Sequence, residues 1–144
     1  MVFVFFGKVQ AQDISSFSIS LDHIALSVKD VDRAAVFYIT IMKLPEIENK
    51  AKIDGIRWFR LADGRELHLI SVIKENVIMN KAVHLGLTTA NFKTFVAYLE
   101  DKKITYYDWP GKVNTVNIRA DGVKQIFFQD PDDYWLEVNS SLQK

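Results

Sequence analysis

Three histidines, His23, His68 and His84, and one glutamate, Glu137, have the clearest capacity for chemistry in this 144-residue chain. The chain has no cysteine, so thiolate ligands, cysteine nucleophiles and disulfides are excluded, leaving imidazole and carboxylate. A shift by 61, the spacing of His23 and His84, lays Leu21-Asp22-His23-Ile24-Ala25-Leu26-Ser27-Val28 over Ala82-Val83-His84-Leu85-Gly86-Leu87-Thr88-Thr89. A shift by 69 lays Asp63-Gly64-Arg65-Glu66-Leu67-His68 over Asp132-Asp133-Tyr134-Trp135-Leu136-Glu137. His23 therefore matches His84, and His68 matches Glu137. A lone histidine on a strand ordinarily does no more than satisfy a hydrogen bond. Here every histidine falls on a slot picked out by the repeat, which points to a site. If a pseudo-twofold axis relates the halves, the four side chains converge around it. Two or three imidazoles and a carboxylate suit a divalent metal ion such as Zn²⁺, Ni²⁺, Co²⁺, Mn²⁺ or Fe²⁺. Glu137 sits in the apolar run Tyr134-Trp135-Leu136-Glu137-Val138, where a buried carboxylate needs a compensating partner.

The elements that must position these residues repeat as well. His23 to Val28 alternates with period two, so His23, Ala25 and Ser27 share one strand face and Ile24, Leu26 and Val28 the other. Asp30 is placed to cap a helix whose apolar positions Val31, Ala34, Ala35, Tyr38, Ile41 and Met42 recur three and four apart, and Leu44-Pro45 ends it. Ile56–Leu61 and Glu66–Ile73 read as strands around the hairpin signal Ala62-Asp63-Gly64-Arg65. In the second half Val83–Thr88 is a strand, and Asn91 caps a helix from Phe92 to about Lys102. Val113–Ile118 begins a run of strands, and Val123–Gln129 and Tyr134–Val138 flank the turn Asp130-Pro131-Asp132-Asp133. The order β-α-β-β-β, twice over, predicts an α+β fold in which the two halves share one mixed sheet with helices on one side. Small residues beside His23 and His84 leave space above the strands, as a binding cup requires.

Composition bounds the rest. Eighteen Lys and Arg cancel eighteen Asp and Glu, which argues against nucleic acid as a partner. No apolar run approaches the ~20 residues that span a bilayer. One domain is expected over 21–144, with modules 21–75 and 82–139. Residues 1–20 stand apart: the run Val2–Phe6 and the triplet Val9-Gln10-Ala11 fit either an apolar arm or the end of an export signal. A cytoplasmic location is the default, and a periplasmic one follows if the export reading holds.

The stretches LDHIALSVKDVDRAAVFY, GRELHLI, VHLGL and FFQDPDDYWLEVN resemble the vicinal oxygen chelate superfamily, which includes glyoxalase I, bleomycin-binding proteins and extradiol dioxygenases. The resemblance runs from about Leu21 to Asn139. It implies a barrel-like cup of two βαβββ modules with helices on the outside, a homodimer, and a small-molecule substrate with adjacent oxygens. It puts His23, His84 and Glu137 in metal-ligand slots and His68 in a fourth, where glyoxalase I carries a glutamate. The glyoxalase-type mechanism implied is that of a lyase or isomerase, with Glu137 as proton carrier. Without His68 among the ligands, His23, His84 and Glu137 form a two-His-one-carboxylate set, and His68 becomes a substrate acid or base. Drug binding without catalysis and Fe²⁺-dependent dioxygenation are the alternatives. Glu66 shares the His68 strand face and is expected at the rim or as a second base. Arg60, Trp58, Arg119 and Gln125 are secondary candidates for substrate contact, and Phe37 and Tyr38 read as core. Loops 45–55 and 104–115 carry no motif.

Overall fold

A computed structural model describes residues 20–73 and 77–143; the segment expected to be an arm or an export remnant lies outside them, apart from Ser20. The first helix, α1 (Val31–Thr40), starts where its sequence dictates. Asp30 is extended, and its carboxylate accepts from the backbone N–H groups of Asp32 and Arg33. Ala34, Ala35 and Tyr38 form its buried stripe. The second helix, α2 (Phe92–Asp101), differs from expectation at its cap: the Asn91 side chain makes no capping bond. Its backbone, at φ −112° and ψ 42°, is not extended, and its own N–H instead donates to Thr89 Oγ1.

Eight strands complete two copies of the β-α-β-β-β order: β1 (His23–Ser27), β2 (Glu46–Ile47), β3 (Ile56–Arg60), β4 (Glu66–Ile70), β5 (His84–Thr88), β6 (Asn117–Ile118), β7 (Lys124–Gln129) and β8 (Trp135–Asn139). They do not share one sheet. β1-β4-β3-β2 and β5-β8-β7-β6 are separate four-stranded mixed sheets, each with one parallel pair at its β1 or β5 edge. Each module pairs its strands internally, and the sheets stay open and cup-like rather than closed into a barrel. The strand expected from Val113 shrinks to Asn117–Ile118, because Asn114 takes a positive φ of 49° and leaves Val113 with only an isolated bridge to Tyr107.

The register confirms the repeat residue by residue. Trp58 lies opposite His68, and His68 opposite Ala25; Phe127 lies opposite Glu137, and Glu137 opposite Gly86. Alternation then sorts the faces. Leu26, Phe59, Leu67, Leu69, Ile126, Phe128, Leu136 and Val138 enter one core with both helices, while the histidines and Glu137 lie on the opposite faces. Each fully buried member of that core is worth about 1.5–3 kcal/mol.

The modules are joined through this core and through the turn after β7. Phe128 meets Phe37 of α1 and Phe95 of α2, and Tyr38 donates its hydroxyl to Asp130 Oδ2 at 2.8 Å. Asp130 Oδ1 accepts from the N–H groups of Asp132 and Tyr134. The Tyr134 hydroxyl both accepts from the N–H and donates to the carbonyl of Ser27. Asp132 Oδ1 takes the Lys29 N–H and Arg33, while its Oδ2 is buried without a partner among the described residues. Burial raises the Asp130 carboxyl above its usual range, and burial beside Asp130 raises the Tyr38 phenol.

A group whose pKa is higher folded than unfolded adds stability below its unfolded pKa and loses it as pH rises through the folded one. Asp130→Asn keeps the acceptor for both amides and removes the buried charge. It is expected to shift neutral-pH stability by no more than about 1 kcal/mol, whereas Asp130→Ala costs about 2–4 kcal/mol by stranding a phenol and two amides. Urea denaturation at pH 7 and about pH 4 reads both effects: wild type gains on Asp130→Asn as the pH falls toward the unfolded pKa, and a constant difference would contradict the assignment.

Candidate metal centre in two half-sites

Each sheet carries half of the predicted set on its face away from the core. On the first, three rings stack across three neighbouring strands. Trp58 lies on His68 at 4.0 Å and 6°, and His68 on His23 at 4.3 Å and 17°. The register puts Trp58 and His68 opposite each other, so the strands hold the stack in place. His68 Nε2 donates to Glu66 Oε2 at 3.0 Å, a bond that holds the Glu66 carboxyl below its ordinary range. Glu66 also faces Arg60 at 3.5 Å. It is thus the partner of His68 and not a free carboxylate at the rim. Asp22, which the sequence did not single out, holds His23 Nδ1 at 2.8 Å.

On the second sheet His84 Nε2 lies 3.1 Å from Glu137 Oε2. Asn139 donates to the other carboxylate oxygen at 2.8 Å, and Glu137 is only 8% exposed. His84 Nδ1 donates to the Lys81 carbonyl at 2.9 Å. A carbonyl only accepts, so Nδ1 carries the proton and a neutral ring turns its Nε2 lone pair toward the carboxylate. Two acceptors facing each other call for a proton or a cation. Their spacing suits two donors on one ion, since bonds of about 2.0–2.2 Å at ordinary coordination angles put donors roughly 3 Å apart. A carbonyl on the far ring nitrogen is also the usual orientation of a metal-binding imidazole. The His84–Glu137 pair therefore fits half of a metal site.

The structure does not gather the halves. Among the described residues of one chain, no three His, Asp or Glu side chains come together so as to hold an ion. His68 and His23 remain with Glu66 and Asp22, and His84 remains with Glu137.

The secondary candidates divide similarly. Trp58 and Gln125 lie on the site faces, Gln125 buried opposite Asn139. Arg119 pairs with Asp121 at 2.9 Å in the turn before β7. Phe37 and Tyr38 belong to the core, as predicted. Three residues near His84 escaped sequence reasoning. Phe127 was within reach, because the shift by 69 lays Trp58 on it. Lys81 and Trp109 were not. Lys81 precedes the matched strand, and Trp109 lies in a loop that carries no motif.

No helix of the described residues is long and apolar enough to cross a membrane. Comparison with known proteins matches residues 20–138 to the model of the Glyoxalase/Bleomycin resistance protein/Dioxygenase superfamily. No curated protein matches the chain significantly. Among solved structures, a glyoxalase family protein from Bacillus anthracis superposes with a TM-score of 0.70 at 19% identity, over 88% of this chain and 98% of its own. The oxidase ChaP-H2 gives 0.69 at 19%, over 86% and 94%. Lactoylglutathione lyase from Agrobacterium tumefaciens gives 0.65 at 17%, over 85% and 93%. At such identities the superpositions speak for the fold alone, while the family model extends over both modules and both half-sites: the chain belongs to the Glyoxalase/Bleomycin resistance protein/Dioxygenase superfamily.

Proposed function

We propose that this chain is a metal-dependent lyase or isomerase of the glyoxalase type, acting on a small substrate with adjacent oxygens. Its site is completed across a homodimer, by His23 and His68 of one copy and His84 and Glu137 of a second. One observation carries the reading: the two half-sites occupy equivalent registers, each holds only part of a ligand set, and the described residues of one chain do not unite them. His23, His68, His84 and Glu137 would hold a divalent ion, which when bound would supply Lewis-acid polarisation of the substrate oxygens. The proton chemistry belongs to Glu137. Asn139 fixes one carboxylate oxygen and leaves the other, beside His84, to take a proton from the carbon next to a carbonyl and return it to the neighbouring carbon. His84 is oriented for its task by the Lys81 carbonyl.

The test is metal content with a proton-exchange assay. The expectation is about one divalent ion per chain in a dimer, together with deuterium wash-in from solvent at the CH₂ of hydroxyacetone, read by NMR. Protein that takes up no ion and exchanges no proton would refute the reading.

One observation favours a second reading. His68 is sandwiched between two rings with Nε2 engaged by Glu66, which leaves His23, His84 and Glu137 as a two-His-one-carboxylate set suited to dioxygenation at Fe²⁺. His68→Phe keeps the stack and removes the donor. If His68 is a ligand, this variant loses metal affinity by at least about tenfold; if affinity holds and turnover consumes O₂, the oxygenase reading takes precedence.

A further inference from the structure

We propose that Trp109 is a specificity-determining residue, a preformed aromatic wall beside His84 for a flat, ring-bearing substituent of the substrate, and that Lys81 is the positioning residue that keeps it there. The inference rests on the reading of the His84–Glu137 face as part of the reaction site.

The loop that carries Trp109 is built stiffly. Tyr107 exchanges two backbone hydrogen bonds with Phe127, at 2.7 and 2.9 Å. Asp108 Oδ1 accepts from the N–H groups of Gly111 and Lys112, the Asp108 N–H donates to the Lys112 carbonyl, and Gly111 supplies the positive φ of 106° that closes the turn. Lys81 Nζ then clamps this turn to the sheet. It donates to the carbonyls of Asp108 and Trp109 at 3.1 and 3.2 Å, and it lies 4.7 Å above Trp135, 5.6 Å above Phe127 and 5.7 Å above Tyr107. A cation among three π faces and two carbonyls is held from several sides at once.

The consequence is a half-exposed indole carried on a fixed turn and resting beside Phe127. Trp109 retains 48% of its surface in water, yet its ring is 5.4 Å from Phe127 and 6.3 Å from His84. Phe127 is the residue opposite Glu137 in the sheet, so the indole borders the same face as the carboxylate. On a floppy loop the ring would collapse onto the nearest apolar surface. Fixed as it is, it offers apolar area at little entropic cost to whatever flat group approaches His84. The substrate class this selects has adjacent oxygens with an aromatic or conjugated group on the neighbouring carbon, in preference to a short alkyl chain.

Mandelate and lactate test this directly, because both are α-hydroxy carboxylates and differ in phenyl against methyl. Titration calorimetry on the metal-loaded protein is expected to show mandelate bound about tenfold more tightly than lactate. Trp109→Ala should weaken mandelate by about five- to tenfold and leave lactate within about twofold. Lys81→Met should give the same selective loss, and Trp109→Phe should keep most of the preference. If the variants leave the preference unchanged while lactate and metal still bind, the role of Trp109 is overturned and the proposed function stands. If Trp109→Ala instead shifts the monomer–dimer equilibrium in sedimentation, the indole is an interface residue and the proposal falls. Wild-type protein that binds neither probe nor metal would overturn both.

Discussion

An equimolar mixture of two inactive chains, one carrying His23→Ala and His68→Ala, the other His84→Ala and Glu137→Gln, should recover about a quarter of wild-type activity after dissociation and reassociation. Each variant alone lacks half of every site. In a mixed dimer one site receives His23 and His68 from one copy and His84 and Glu137 from the other, and so is fully wild type. The second site receives none of them. Random reassociation makes about half of the dimers mixed, each with one working site of two, hence the quarter. A site built within one chain gives no recovery at any mixing ratio. Neither outcome depends on the identity of the metal. All four residues lie on faces away from the common core, so the variants should keep their fold, which far-UV circular dichroism and sedimentation verify. Activity that stays at zero in verified mixed dimers would place the site inside one chain and remove the homodimer from the mechanism.

Glu137→Gln should show the second large effect, a fall in turnover of about 10²–10⁴-fold with the fold intact. The amide is nearly isosteric with the carboxylate. Its oxygen still accepts from Asn139, and its N–H₂ can donate to the His84 Nε2 lone pair that Glu137 now faces. Structure and local packing are thereby retained, and the ability to take a proton is lost. Metal affinity should drop less than in His84→Ala, which deletes a ligand and the hydrogen bond to Lys81 together. A variant that turns over like wild type would move the base elsewhere, and Glu66, the carboxylate tied to His68, would be next to test.

The repeat was the most legible feature of the sequence, because equivalences within a module depend on local alternation and pairing register. The match of His68 with Glu137 returns as equivalent placements opposite Trp58 and Phe127. Asp30 was legible as a cap because one carboxylate and two amides decide it. What the repeat does not encode is how the modules meet. That depends on contacts such as Tyr38 with Asp130 and Phe37 with Phe128, which belong to no period in the chain. The shared sheet and the convergence of four ligands were both inferred from symmetry alone. The structure has two sheets instead of one, and among the described residues of a single chain the four side chains stand as two half-sites. Lys81 and Trp109 were invisible for a related reason: a lysine becomes informative only once three rings and two carbonyls surround it, and those come from β7, β8 and the loop between α2 and β6.

The tie between Ser27, Tyr38 and the Asp130–Tyr134 turn bears on how the protein is made. Its partners stand 92 to 107 residues apart. During synthesis β1 and α1 emerge first, with Tyr38 facing a core whose other wall has not yet been translated. Phe128, Leu136 and Val138, all buried beside it in the finished molecule, come only with β7 and β8. The first module is therefore expected to stay partly open until β7 and β8 have left the ribosome. A ribosome stalled or a message cut anywhere before codon 130 would thus release a half-closed module with an apolar flank in water, a substrate for chaperones and proteases rather than a small stable domain.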